Sequence, residues 1–288
     1  MRAIKFNASL IRSGLAAAVL LVAATASYAQ SVALTAGPQN AALPDGQTVP
    51  MWGYTCGAVT GTGYTCAAAN PNAGTNWSPV VITVPYTEAL GVSTTSLTIN
   101  LTNSLVSAGT PIPTSLVIVG QLGGGLGGAP IKTLSPVHGP QGPTWPASGG
   151  PDPTVNCATA IGRAAAGAAG TNCPPGQPAR VQSFATEVLV GTPGVLSWTG
   201  LRPGTYLIES GTHPSIQGPM GLYGVLVVTT APGVGPGTAY AGVAYDSELA
   251  LVLSEIDPVQ NAAIATAVAT AGFSETRVWD GKAGGCGD

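Results

Sequence analysis

Charge is what this 288-residue sequence has least of. Only 7% of its residues are Asp, Glu, Lys or Arg, and it holds two histidines, three phenylalanines and five cysteines. Three of its nine basic residues (Arg2, Lys5 and Arg12) stand in the first dozen positions, so the remainder sets six Lys/Arg against twelve Asp/Glu and carries about −6. A nucleic-acid partner requires a positive stripe that displaces counterions, and none is present. After residue 29 no run is long and apolar enough to span a bilayer, which takes about 20 residues. No Gly-x-Ser-x-Gly elbow occurs, and neither His138 nor His213 sits beside a nucleophile signature, so the common hydrolase patterns are excluded. Gly, Pro, Ala, Thr and Val abound instead. That balance is too apolar for disorder and suits a β-protein with many turns.

The first 29 residues read as a secretory signal peptide. A basic head is followed by the apolar run 14–24 and then by Ser27-Tyr28-Ala29, with small residues where a signal peptidase cuts. The expected address is exported, periplasmic or extracellular, with no membrane span after cleavage. Cysteine spacing agrees with an oxidising compartment. Four cysteines allow three pairings; the simplest makes two local staples, Cys56 with Cys66 and Cys157 with Cys173, and leaves Cys286 over.

Along the chain, short β-branched and aromatic runs alternate with Gly/Pro turns, the pattern of a sandwich or barrel. Strands are expected at Ser31–Ala36, Thr48–Thr55, Val80–Val84, Ser96–Leu101 and Thr114–Val119, the last apolar enough to be buried on both faces. Further strands are expected at Ser183–Val190, Gly194–Trp198, Thr205–Ile208, Leu222–Val228, Tyr240–Tyr245 and Glu248–Glu255, then a short helix from Pro258 to about residue 271. From Gln121 to about Arg180 the pattern dissolves into a Gly/Pro-rich insertion. Its GGGLGG run (Gly123–Gly128) lacks the helix a phosphate loop needs and reads as a flexible surface excursion. The domain plan is a signal peptide at 1–29, a β-domain at 30–257 with the insertion at about 121–180, and a helix and linker at 258–288, where a further domain could begin.

Three ordered stretches carry a family resemblance. Pro203-Gly204-Thr205-Tyr206 is followed by Gln217 and by Gly221-Leu222-Tyr223-Gly224; Pro113-Thr114-Ser115 leads to Gly120; Asp246-Ser247-Glu248-Leu249 leads to Leu253-Ser254-Glu255-Ile256-Asp257. Over roughly residues 34–258 the chain resembles the first cupredoxin-like domain of multicopper oxidases. Leu43-Pro44-Asp45-Gly46 with Val49-Pro50-Met51-Trp52-Gly53 also resembles a subset of very large bacterial members, some proposed to oxidise manganese. The resemblance implies an all-β fold, a cupredoxin-like Greek-key β-sandwich, and copper as the family's cofactor. It also implies partners in the form of further cupredoxin domains, on a longer chain or a separate protein.

The departures bear on activity. Where the family places His-Trp-His this chain has Val117-Ile118-Val119, and where it places His-Ser-His the chain has Glu209-Ser210-Gly211. The four ligand positions Val117, Val119, Glu209 and Gly211 thus carry no imidazole, and a carboxylate is a hard ligand where copper favours nitrogen. Two histidines in the whole chain cannot build a trinuclear cluster. The expectation is therefore no catalytic residue and no copper bound here, in a domain that forms the non-catalytic N-terminal structural or docking part of a larger oxidase. Two alternatives stand beside it. One is a stand-alone secreted binding or structural sandwich using its insertion for recognition; the other is a weak mononuclear copper-binding protein with its metal at His213 and Glu209. Asp246, Glu248, Glu255 and Asp257 flank one expected strand and fit a solvated face or interdomain contacts; Trp52, Trp198 and Tyr206 read as core aromatics.

Overall fold

Alternation decides the architecture. A computed structural model describes residues 30–107, 109–133 and 178–270. The signal peptide, His138, Cys157, Cys173 and Cys286 lie outside the described residues. The strands that build the main body are β1 (Ser31–Ala42), β2 (Thr48–Thr60), β3 (Thr65–Ala68), β4 (Val80–Pro85), β5 (Ser96–Asn103), β6 (Val117–Ile118), β7 (Gly194–Thr199), β8 (Gly204–Glu209) and β9 (Tyr223–Thr229). One sheet runs β7-β5-β1-β2 and the other β6-β8-β9-β4-β3. The chain changes sheet repeatedly, so β1 lies parallel to β5 and β4 parallel to β9 while the remaining pairs are antiparallel. This is a cupredoxin-like Greek-key β-sandwich, the all-β class expected.

Every second residue points inward. Val32, Leu34, Ala36, Leu97, Ile99, Leu101 and Trp198 from the first sheet meet Val80, Ile82, Val84, Ile208, Leu226 and Val228 from the second in one cluster. Register puts Val32 beside Ile99 and Leu34 beside Leu101, so slipping β1 by one residue would turn its apolar set to water. The Cys56–Cys66 disulfide, with Cα atoms 5.7 Å apart, joins β2 of one sheet to β3 of the other. Closing a loop of this size is worth about 2–3 kcal/mol through the unfolded chain.

Helix α1 is a single turn, Pro214–Gln217, and α2 spans Pro258–Val268. The second has Pro at its first turn, and the Asp257 carboxylate accepts from the Val259 and Gln260 backbone N–H groups at 2.9 and 3.1 Å. Its Ile264 and Val268 belong to the main core cluster, and the Asn261 side chain donates to the Pro50 carbonyl at 2.9 Å. The helix therefore packs as part of the sandwich. Among the described residues no helix is long and apolar enough to cross a membrane.

Several expected strands are shorter or different. Thr114–Val119 is buried from Thr114 to Ile118, but only Val117 and Ile118 pair as a strand, and Val119 is 45% exposed at the turn that follows. Within Ser183–Val190 only Ser183, opposite Ile131, and Val188, through a bridge to Thr114, are paired. Tyr240–Tyr245 is a hairpin, β10 (Gly237–Tyr240) with β11 (Val243–Tyr245), turned by Gly242 at φ +76°. Glu248–Glu255 forms no strand at all; its residues make no backbone–backbone hydrogen bond among the described residues. The alternating pattern there is real, but no neighbouring strand edge is in place to pair with it.

The Gly/Pro-rich insertion starts later than expected. A second compact unit spans Gly128–Phe184, and its described part pairs Ile131–Thr133 with Arg180–Ser183. The glycines before it belong to the sandwich. A Cβ on Gly123, at φ +145°, would strike the Trp198 indole and come within 2.8 Å of the Ser197 carbonyl. The glycine run is a packing surface for a buried tryptophan, which corrects the reading of a loose excursion. Gly123→Ala is expected to lower stability by about 1–3 kcal/mol through overpacking, read as a fall in denaturation midpoint with unchanged m.

Candidate functional site

The loop between β8 and β9 meets the segment 113–118 at one end of the sandwich, where the sequence placed its candidate residues. β6 and β8 are antiparallel with Val117 directly opposite Glu209, and Glu209 is in turn opposite Tyr223 on β9. Two of the positions that the resemblance assigns to ligands are therefore cross-strand neighbours, whose Cβ atoms are about 5 Å apart in such pairs. Gly211 comes in from the same loop. A Cβ built on it would lie 2.8 Å from Val117 Cγ1 and 3.2 Å from Ser115 Oγ. The valine occupies the space that any side chain at position 211 would need. Val119 stands apart, at the exposed turn.

Gln217, which the sequence suggests as a polar loop residue, is instead fully buried. Its Oε1 accepts from Ser210 Oγ at 2.6 Å and Thr114 Oγ1 at 2.8 Å, while its Nε2 donates to the Pro113 carbonyl at 2.8 Å. Thr212 extends the network: its backbone N–H donates to Ser210 Oγ at 3.1 Å, and its hydroxyl donates to Ser115 Oγ at 3.0 Å. Tyr54 on β2 donates to the Ser115 carbonyl at 3.2 Å from the opposite sheet. Burial pushes the Tyr54 phenol well above its usual range; a hydrogen bond with Thr114 opposes the shift and the Glu209 charge adds to it. Every named hydroxyl has a partner, so this is a satisfied structural network.

His213 caps α1 in a left-handed conformation (φ +40°, ψ +57°) and lines an apolar cavity of about 410 Å³ with Trp52, Ile112, Ile216 and Val268. Glu209, half-buried at the end of β8, has its carboxyl pushed above the usual range by desolvation. Among the described residues no three His, Cys, Asp or Glu side chains lie close enough to hold a metal ion. The donor set does not fit the family's copper. Val117, Val119 and Gly211 offer no lone pair, and Glu209 offers oxygen alone.

No protein-family model matches the chain, and no curated protein matches it. Solved structures do. A multicopper oxidase from Pseudomonas thermotolerans aligns at 14% identity over 69% of this chain and 29% of that one, with a TM-score of 0.34. Lac15 from a marine microbial metagenome aligns at 16% identity over 72% and 34%, also at 0.34. Auracyanin B aligns at 14% identity over 54% of this chain and 92% of that one, at 0.21. The chain thus spans about a third of the length of the two larger proteins. The strand order makes the chain a cupredoxin-like sandwich.

Two outcomes follow from the geometry. Gln217→Ala leaves two hydroxyls and a carbonyl without their shared partner and is expected to cost about 2–4 kcal/mol by chemical denaturation, whereas Ser215→Ala on the exposed side of α1 leaves the midpoint within error. Glu209 has a folded pKa above its unfolded value, so its contribution to stability is present below about pH 4 and is lost as pH rises through the raised folded pKa. Glu209→Gln should therefore raise Tm at pH 7, with the gain shrinking toward zero as pH falls below about 4.

Proposed function

We propose that this chain is an exported, multicopper-oxidase-like cupredoxin domain acting as the non-catalytic structural or docking part of a larger copper-dependent oxidase, its own copper ligands lost. The observation that carries this reading is at three of the four positions that the resemblance assigns to ligands. The backbone still brings Val117, Glu209 and Gly211 together, yet Val117 fills the space in front of Gly211 and the interior behind them is closed by the Gln217 network. The scaffold of a metal-bearing domain is retained while its donors are replaced by apolar contacts and neutral hydrogen bonds. Export is supported by the signal-peptide pattern of residues 1–29 and by the Cys56–Cys66 disulfide, which belongs in an oxidising compartment.

The purified chain, incubated with excess copper and desalted, should retain less than about a tenth of an equivalent and should not oxidise a phenolic probe in air. Reading the DNA beyond codon 288 and in adjacent genes should reveal His-x-His and His-Cys-His motifs in further cupredoxin domains. Stoichiometric copper with oxidase activity from this chain alone would overturn the reading. So would a genomic neighbourhood without any such domain.

A further inference from the structure

Between the β10–β11 hairpin and α2 the chain runs extended through the sequence Asp-Ser-Glu-Leu-Ala-Leu-Val-Leu-Ser-Glu-Ile-Asp, residues 246–257. It lies over the outer face of the second sheet. Thr205, Val225 and Val227 on that face line a shared cleft with Ser247, Leu249 and Leu251. This cover explains why β9 is buried on both faces, Val225 and Val227 as well as Leu226 and Val228. The segment is held at both ends. Tyr245 OH donates to Thr229 Oγ1 at 3.0 Å, Tyr223 OH donates to Ser254 Oγ at 2.6 Å, and Ile256 packs against Ala41, Val49 and Met51.

What the segment presents outward is unusual. Leu249, Leu251 and Leu253 are 82%, 78% and 95% exposed, in a row at strand spacing, while Ala250 and Val252 between them are half-buried. Residues 247–256 also make no backbone–backbone hydrogen bond among the described residues. An anchored, extended segment with an outward leucine row and unused backbone groups has the form of a sheet edge awaiting a strand.

We propose that residues 247–256 are a docking edge for a β-strand of a partner protein, a strand whose inward residues are apolar and whose ends carry Lys or Arg. The inference deepens the docking role proposed above. Charge selects the occupant: Asp246, Glu248, Glu255 and Asp257 bracket the leucine row, and no Lys or Arg occurs between Arg202 and Arg277. A partner strand pairs its backbone with the segment, sets apolar side chains opposite the three leucines, and meets the bracketing carboxylates with its basic ends. A second copy of this chain fits the leucines, because antiparallel pairing about Leu251 sets Leu249 opposite Leu253. It would also bring eight carboxylates together with no counter-charge, so a basic strand is the favoured occupant.

Binding of a labelled ten-residue peptide to the full chain tests this by fluorescence anisotropy. The peptide alternates valine with threonine and carries two lysines at each end; control peptides carry glutamates at the ends, or N-methyl groups along one backbone edge. The lysine peptide is expected to bind at least ten-fold more tightly than either control and to weaken as salt rises. The triple variant Leu249→Ser, Leu251→Ser, Leu253→Ser should lose at least ten-fold in affinity with its Tm unchanged, since these side chains are already in water. No binding, or equal binding of all three peptides, overturns the proposal. Sedimentation showing a dimer of the full chain that dissolves in the triple variant also overturns it, by naming a second copy as the occupant. These readouts concern the surface alone, whereas the copper and oxidase assays read the family role, so either can fail without the other.

Discussion

The carboxamide of Gln217 holds the end of the sandwich together. It bonds at once to the segment before β6, through Thr114 and Pro113, and to the segment after β8, through Ser210. Two loops distant in sequence and one helical turn converge on this one side chain. In a low-dielectric interior such bonds are strong when complete, and each orphaned member is costly. The positions of Val117, Glu209 and Gly211 relative to one another depend on this convergence, because β6 is only two residues long and cannot fix its own register over any length.

That dependence separates scaffold from chemistry. Hydrogen bonding and packing keep Val117, Glu209 and Gly211 adjacent. The side chains now present are chosen for a dry interior: a valine filling the gap over a glycine, and a carboxyl kept near the edge, where burial pushes its pKa up. The interior at this end is held by neutral groups: hydroxyls, an amide and backbone carbonyls.

On the opposite side of the second sheet the constraint is different. β9 has apolar residues on both faces, and its outer face is covered by the extended segment 246–256 in place of a third layer. Covering one apolar face with a sequence that is itself leucine-rich moves the exposed hydrophobic area outward. The domain closes its own core and leaves a row of leucines exposed elsewhere.

Much was legible from the sequence. Period-two alternation placed most sandwich strands, because burying one face of a strand leaves that mark residue by residue. Asp257-Pro258 announced a helix start, and the ten-residue separation of Cys56 and Cys66 suited a staple. The absence of imidazole at positions 117, 119, 209 and 211 needed only the letters. Other features had no local signal. Gln217 reads as a loop residue until its three partners arrive from more than one segment; Gly123 and Gly124 look loose until Trp198 is packed against them; Glu248–Glu255 has the pattern of a strand and forms none. The sequence by itself determined the fold class and the absence of imidazole at positions 117, 119, 209 and 211, since periodicity and residue chemistry are local. Tertiary structure alone decided which polar residues are buried, which glycines are packed and which apolar row is left outside, since each depends on what distant segments bring to the same place.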